Sequence, residues 1–135
     1  LKKIKIKKKI IKLIDESYNS NPLSLKFSIE KFDKIETRNA KYLLLGDMLE
    51  LGKFSKKLHS DIANNINKTQ ISKVYVYGKD IIYTFNKLRT QKKGKIFKSN
   101  SEILRFINNE IHNNDYLMVK GSNSTGLNEI IKKLN

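Results

Sequence analysis

Cysteine is absent from the 135 residues of this sequence, which excludes a disulfide framework and any cysteine-based metal site. The two histidines, His59 and His112, stand far apart and outside any metal-binding motif, so no metal cluster is expected. No apolar run approaches the roughly 20 residues of a membrane-spanning helix. Pro22 and its polar neighbours interrupt the lysine-rich start before a secretory signal could form. Together these features predict a cytoplasmic protein that does not bind a membrane.

Glycine is also scarce, with six residues, and the glycine-rich motifs that hold nucleotide phosphates are missing. No Gly-x-Gly-x-x-Gly follows the first predicted strands, so the dinucleotide fingerprint is absent. No Gly-x-x-x-x-Gly-Lys-Ser/Thr loop occurs either. The chain therefore has no phosphate cradle of its own.

Acidic residues are outnumbered, with 13 against 28 lysines and arginines, for a net charge of +15. Seven lysines lie within residues 1–12, where charges on an outer strand would discourage edge-to-edge pairing. The other basic residues are not clustered, and aromatic residues do not interleave with them, which argues against a nucleic-acid partner. A polyanionic nucleotide substrate would also benefit from such a positive field.

Hydrophobic patterning predicts a hairpin followed by alternating helices and strands. Residues 1–7 alternate with a period of two, 10–14 are apolar, and Lys7-Lys8-Lys9 would turn between them. The later strands are predicted at 42–45, 74–77, 95–97 and 116–119. The later helices are predicted at 22–34, 54–67, 80–88 and 127–134, and a further helix runs from a cap at one of residues 99–101 to residue 111. This order predicts an α/β fold in one domain spanning 1–135, a Rossmann-like three-layer sandwich with a mostly parallel sheet and an amino-terminal edge hairpin.

Polar segments follow several of the predicted strands. The segment Asp15-Glu16-Ser17-Tyr18-Asn19-Ser20-Asn21-Pro22 leads into the first helix, with Asn21 as its cap and Pro22 in its first turn. Gly46-Asp47-Met48-Leu49-Glu50-Leu51-Gly52 and Val119-Lys120-Gly121-Ser122 follow later strands. Because the carboxyl ends of parallel strands meet at one edge of a sheet, these segments predict a single site.

Each of these features also has a purely structural explanation. In that alternative, Asp47 caps a turn and Ser122 caps a helix. Nothing in the sequence orients His59 as a general base, which favours a packed or surface residue.

The three polar segments resemble, in order and spacing, the carboxyl-terminal domain of the Mur ligases. The resemblance extends over residues 10–134, and His59, seven residues after Gly52, also matches that pattern. It is most specific for the family member that adds D-alanyl-D-alanine to UDP-N-acetylmuramoyl-tripeptide in peptidoglycan precursor synthesis. The resemblance implies a three-domain enzyme that activates the tripeptide carboxylate as an acyl phosphate, which the dipeptide amine then attacks.

The resemblance also implies ATP and Mg²⁺ as cofactors, bound mainly by a central domain that is absent from this chain. That domain would carry the phosphate loop and the magnesium ligands, and an amino-terminal domain would hold the UDP-sugar. This chain alone is therefore expected to be inactive and to contain neither a catalytic residue nor a metal ligand. The carboxylates of Asp15 and Glu16 would approach the ribose of ATP. Glu16 stands where the family usually has Asp, and Asn123 stands where it commonly has Arg.

For the other substrates, the resemblance implies five binding residues. Asn19 and Asn21 would line the crevice for the dipeptide and the acyl phosphate. Asp47 would orient its loop or the incoming ammonium. Lys120 and Ser122 would hold the dipeptide carboxylate, the lysine through its charge and the serine through a directed hydrogen bond.

Two alternatives to a ligase domain stay open. A freestanding basic α/β module for nucleic acid would bind DNA or RNA with an affinity that falls steeply with salt. A Rossmann-like interaction domain without a ligand would leave the complete protein functional after Asn19→Ala or Lys120→Ala.

Overall fold

The computed structural model of the protein describes residues 1–122 and 126–134. Its strands are β1 (Lys2–Ile6), β2 (Lys9–Glu16), β3 (Lys41–Gly46), β4 (Lys73–Tyr77), β5 (Lys93–Ile96) and β6 (Tyr116–Lys120). Its α-helices are α1 (Pro22–Asp33), α2 (Ser55–Asn67), α3 (Ile82–Asn86), α4 (Asn100–Asn109) and α5 (Leu127–Lys132). The strands form one sheet in the order β1-β2-β6-β3-β4-β5. Only the β1–β2 pair is antiparallel within the part of the chain described, so the predicted α/β class, parallel sheet and edge hairpin are confirmed.

The sheet has an apolar core on each face, because alternate residues of a strand point in opposite directions. Leu43 and Leu45 of β3 belong to the core with apolar residues of α1 and α2. Leu44 belongs to the opposite core, with apolar residues of α4 and α5. Helices thus cover both faces, which gives the predicted three layers.

The predicted helix caps are present. The Asn21 side chain accepts the Ser24 N–H at 2.9 Å, and the Ser24 hydroxyl oxygen accepts the Asn21 N–H at 3.1 Å. This reciprocal capping box, with Pro22 at the start of α1, fixes where the chain turns away from β2. In α4 the cap is Ser99, whose hydroxyl oxygen accepts the Glu102 N–H at 3.2 Å.

The bounds of several elements differ from the sequence-based expectations; β2, for example, spans Lys9–Glu16 rather than 10–14. Helix α3 spans Ile82–Asn86 rather than 80–88, and the N–H groups of Asp80 and Ile81, just before it, bond to the Asp47 carboxylate. Strand β5 spans Lys93–Ile96 rather than 95–97, and its start, Lys-Gly-Lys, carries no apolar signal. The hairpin turn is Lys7-Lys8, with Lys7 at φ +58°, a conformation usually given to Gly or Asn.

Part of the lysine excess is structural, because three lysine ammonium groups bind backbone carbonyls near helix ends. Lys41 donates to the carbonyls of residue 33, the last of α1, and residue 35; Lys92 donates to those of 69 and 71, just after α2; and Lys9 donates to those of 108, in the last turn of α4, and 111. Cations at these positions complement the helix dipole and satisfy the last carbonyls. Burial lowers the pKa of Lys9 and Lys92 from the ordinary lysine value.

Four aromatic rings form the centre of the core under α4. The Phe106 ring lies 4.0 Å from that of Tyr75, between centroids, and also contacts Tyr42 and Phe97. Gly94 is required beside them, because a Cβ there would lie 2.6 Å from the Tyr75 ring.

Stability is expected to fall as the pH rises from about 10 to about 12, because burial, followed by the charge of Glu110, raises the pKa of Tyr75 to about 12. The unfolded chain loses the phenol proton near pH 10, whereas the folded chain retains it, so deprotonation favours unfolding across this interval. Denaturant titrations at stepped pH would measure the fall. The variant Tyr75→Phe should show a smaller fall over the same interval, and an unchanged fall would contradict the prediction.

Candidate functional site

The carboxyl ends of the neighbouring strands β2, β6, β3 and β4 lie along one edge of the sheet. Hydrogen bonds join the loops that follow three of them. Lys120 Nζ donates to the Asn19 carbonyl at 2.9 Å, and the Ser122 N–H donates to the Asp47 carbonyl at 3.1 Å. Distant polar segments therefore meet at one edge, as the parallel order predicts. We call the residues of this edge, 15–21, 46–52, 78–81 and 120–122, the rim.

An ion pair between a buried ammonium and a partly exposed carboxylate lies at the rim. Glu16 and Lys120 are cross-strand neighbours in the β2–β6 register, and Nζ lies 3.2 Å from Oε1. The Lys120 side chain is 4% exposed and that of Glu16 is 29% exposed. Ser28, on the buried face of α1, donates its hydroxyl to the same Oε1 at 2.7 Å. Ser28 belongs to none of the three polar segments, although a polar side chain in an apolar helix stripe indicates a buried partner.

The contacts of Lys120 bear on its predicted bond to the dipeptide carboxylate. An ammonium has three N–H donors, and Glu16 and Asn19 take two of them among the described residues. The deep burial of this side chain favours a first role in holding Glu16 and Asn19 in place. Donation of the third N–H to a substrate carboxylate stays a prediction.

The two carboxylates predicted to approach the ATP ribose are both accessible at the rim. Asp15 Oδ1 accepts the N–H and the hydroxyl of Ser17, at 3.0 and 2.5 Å. Within residues 1–122 and 126–134, the hydrogen bonds to these carboxylates use Oδ1 of Asp15 and Oε1 of Glu16. Oδ2 and Oε2 can therefore still accept ribose hydroxyls. The replacement of the family's Asp by Glu16 is compatible with this arrangement.

Asn19 and Asn21 differ in which of their side-chain atoms are available to bind a substrate. Asn21 Oδ1 is committed to the cap of α1, so a substrate contact by Asn21 would have to use its amide nitrogen. Asn19 is exposed, and among residues 1–122 and 126–134 the one hydrogen bond to it is that of Lys120 to its backbone carbonyl. The predicted substrate roles of both residues stay predictions, and the geometry favours Asn19.

Asp47 anchors the loop between β4 and α3. Its carboxylate accepts the N–H groups of Lys79, Asp80 and Ile81 at 3.1, 3.0 and 2.7 Å. Gly78 permits this approach, since it has φ +153° and a Cβ there would lie 2.5 Å from Asp47 Oδ1. Of the two predicted roles, the geometry therefore favours loop orientation over binding of the incoming ammonium.

His59 is fully buried in α2, with both ring nitrogens in polar contacts. The Met48 N–H donates to Nε2 at 3.0 Å, and Nδ1 lies 2.8 Å from the Ser55 carbonyl oxygen. The sequence analysis favoured a packed or surface residue for His59, and the residue is packed. Its bond to the loop after β3 was missed, because the two groups are eleven residues apart in sequence.

Ser122 connects two loops of the rim. Its hydroxyl accepts the Leu49 N–H at 3.2 Å and donates its own proton to the Ser20 carbonyl oxygen at 3.4 Å, so a bond to a substrate carboxylate would have to replace the bond to Ser20. Its predicted role at the dipeptide carboxylate stays a prediction. Asn123 lies outside the described residues.

The described part of the chain contains no group of three or more His, Cys, Asp or Glu residues that could hold a metal ion. None of its helices is long and apolar enough to cross a membrane.

Comparison with known families gives the identity of the domain. A family model described as "Mur ligase, glutamate ligase domain" matches residues 3–123. The chain belongs to this family. The resemblance inferred from the three polar segments is thereby confirmed, and these comparisons give no support to a nucleic-acid-binding module.

Individual relatives agree with this assignment of a Mur ligase domain. The UDP-N-acetylmuramoyl-tripeptide–D-alanyl-D-alanine ligase of Bacillus subtilis is 28% identical over 127 residues, which are 92% of this chain and 28% of that protein. A MurF structure from Acinetobacter baumannii superposes with a TM-score of 0.78 at 21% identity, covering 99% of this chain and 30% of that one. The MurF ligase of Thermotoga maritima, solved with ADP, gives 0.76 at 20% identity, covering 98% and 29%. The chain thus spans less than a third of each relative.

Proposed function

We propose that this chain is the carboxyl-terminal domain of an ATP-dependent ligase that joins D-alanyl-D-alanine to UDP-N-acetylmuramoyl-tripeptide. The amino-terminal and central domains of that ligase would lie on polypeptide outside residues 1–135. The reaction would serve peptidoglycan precursor synthesis in the cytoplasm, and through it cell shape and cell division.

The main support is the alignment over 92% of the chain with a relative that bears this ligase's name. The rim supports it independently, because it gathers accessible carboxylates, an amide and a hydroxyl at the strand ends where α/β proteins bind ligands. The rim would form only part of an ATP-dependent active site, because the sequence contains no phosphate loop and the described residues contain no group of side chains that could hold a metal ion.

In this proposal, the rim forms one wall of a site that closes when the domains come together. Asp15 Oδ2 and Glu16 Oε2 accept the ribose hydroxyls of ATP. Asn19 and Ser122 contact the dipeptide, and Lys120 keeps the Asn19 loop beside it. ATP supplies the phosphoryl group that activates the tripeptide carboxylate, and the central domain holds its phosphates and Mg²⁺.

Exposed apolar side chains beside the rim also favour a closing surface. They belong to the segments that follow β2 and β3, and they are Tyr18, Leu23, Phe27, Leu49 and Phe54. Leu23 and Phe27 lie four residues apart in α1 and are therefore neighbours on the helix surface, and adjoining exposed apolar side chains favour a contact with another protein segment. We infer that the central domain covers this surface when the site closes.

The test is a ligation assay of the complete protein that includes this sequence. The complete protein should convert UDP-N-acetylmuramoyl-tripeptide, D-alanyl-D-alanine and ATP with Mg²⁺ into the dipeptide adduct, ADP and phosphate. Residues 1–135 alone should show no turnover above background. Turnover by the isolated chain, or failure of the complete protein with these substrates, would contradict the proposal.

A further inference from the structure

The imidazole of His59 has a defined proton arrangement. Because Nε2 accepts the Met48 N–H, the ring proton must be on Nδ1, where it faces the Ser55 carbonyl. The Ser55 hydroxyl lies 3.1 Å from Nδ1 and donates its own proton to Asp80 Oδ2 at 2.8 Å. His59 is thus held from one side by α2 and by the loop before α3.

From the other side, His59 holds a loop of the rim. Met48 is the second residue of the loop after β3, and the next residue, Leu49, donates its N–H to the Ser122 hydroxyl. Two consecutive backbone N–H groups are therefore fixed, one by the buried imidazole and one by the serine. The loop needs such support, because Glu50 then adopts φ +62°, which costs energy in a residue other than glycine.

We propose that His59 is a positioning residue, which fixes the 47–51 loop through Met48 and so holds Ser122 Oγ in place at the rim, where its proton would turn from the Ser20 carbonyl to the dipeptide carboxylate when the dipeptide binds. His59 touches no substrate in this scheme. This inference rests on the proposed function for its kinetic consequence, although the loop contact itself does not depend on that function.

Two substitutions at His59 distinguish the effect of losing the hydrogen-bond acceptor for the Met48 N–H from the effect of losing the volume of the ring. His59→Leu fills the site with an apolar side chain and leaves the Met48 N–H without an acceptor. His59→Gln offers an amide oxygen that can still accept that N–H, so it should rescue the effect.

Two control variants complete the set. His112→Leu makes the same replacement at an exposed histidine. Thr84→Val removes a buried hydrogen bond of 2.6 Å to the His59 carbonyl but leaves the imidazole contacts intact. It therefore tests whether a general loss of stability is enough to produce the effect.

The first readout is amide hydrogen exchange of Met48 in residues 1–135. The quantity compared is the exchange rate of the Met48 amide divided by the exchange rate of the β3 amides. We expect His59→Leu to raise this ratio at least tenfold. We expect His59→Gln, His112→Leu and Thr84→Val to leave it near the value of the unmodified chain. Equal protection of Met48 in His59→Leu and the unmodified chain would overturn the inference.

The second readout is the kinetics of the complete ligase. We expect His59→Leu to raise the KM for D-alanyl-D-alanine about tenfold, with the KM for ATP and kcat within about twofold, and His59→Gln to restore most of the difference. Faster exchange of Met48 with an unchanged dipeptide KM would also overturn the inference. A wrong proposed function can be told apart from a wrong role for His59. If the proposed function is wrong, the unmodified ligase itself forms no product, and the kinetic role of His59 is then also wrong.

Discussion

Lys120→Met in the complete ligase is expected to lower kcat/KM for the dipeptide by about 100-fold, which corresponds to about 2.7 kcal/mol of transition-state stabilisation. The ammonium is buried between the Glu16 carboxylate and the Asn19 carbonyl. An apolar replacement removes this donor from both acceptors, leaves Glu16, among the described residues, with the Ser28 hydroxyl alone, and releases the loop that carries Asn19. Removing one member of a hydrogen-bonded ion pair is costly when its charge is withdrawn from water. Steady-state kinetics with varied dipeptide would measure the effect.

A matched control is available on α2. Lys57 forms an ion pair with Asp61 at 2.8 Å, but its side chain is 74% exposed, compared with 4% for Lys120. Exposed pairs contribute little, so Lys57→Met should leave kcat/KM within about twofold. Retention of more than half of the activity by Lys120→Met would contradict the function assigned to the ion pair of Glu16 and Lys120. It would instead favour a domain without a ligand at this rim.

Phe106→Ala is expected to lower the free energy of unfolding by about 4 kcal/mol, within the range for large-to-small changes in cores. The Phe106 ring is fully buried and contacts the rings of Tyr42, Tyr75 and Phe97. Its removal leaves a cavity between α4 and the sheet that these rigid rings cannot fill. Denaturant unfolding of residues 1–135 would measure the loss.

Phe27→Ala makes the same replacement on the outer side of α1, where the ring is 65% exposed. This variant should change the free energy of unfolding by less than about 1 kcal/mol, because little apolar surface is lost from the core. Similar losses for the two variants would mean that α4 does not pack on the sheet as described. In the complete ligase, Phe27 belongs to the proposed closing surface, so its replacement would act there on activity rather than on stability.

Much of the fold followed from local patterns. The four-residue apolar runs at 42–45, 74–77 and 116–119 can be buried on both faces only in a covered parallel sheet, and all three are central strands. Asn21 and Pro22 predicted the start of α1 to the residue. The short α3 and the start of β5 were misjudged. The start of β5, Lys-Gly-Lys, carries no apolar signal, and its place in the sheet comes from pairing with β4, which is distant in sequence.

The candidate site was predictable as a set of segments but not as a set of contacts. The parallel order required the segments after β2, β3 and β6 to share an edge, and they do. The partners of Asp47 and His59 could not be inferred, because both bond to backbone N–H groups, which every residue except proline carries. The pairing of Glu16 with Lys120 depends on the β2–β6 register, which no local pattern specifies.

Periodicity, capping residues and the three polar segments in their order were enough to determine the α/β class, the edge hairpin and membership of the Mur ligase family. Only the tertiary structure decided which polar groups form hydrogen bonds within the domain and which remain available to a ligand. The physical reason is that a buried donor or acceptor must find a partner wherever the packed chain brings one within about 3 Å. That distance is set by the register of strands and the seating of helices, so Asn21 and Asp47 are committed to the scaffold while Asn19 remains at the surface.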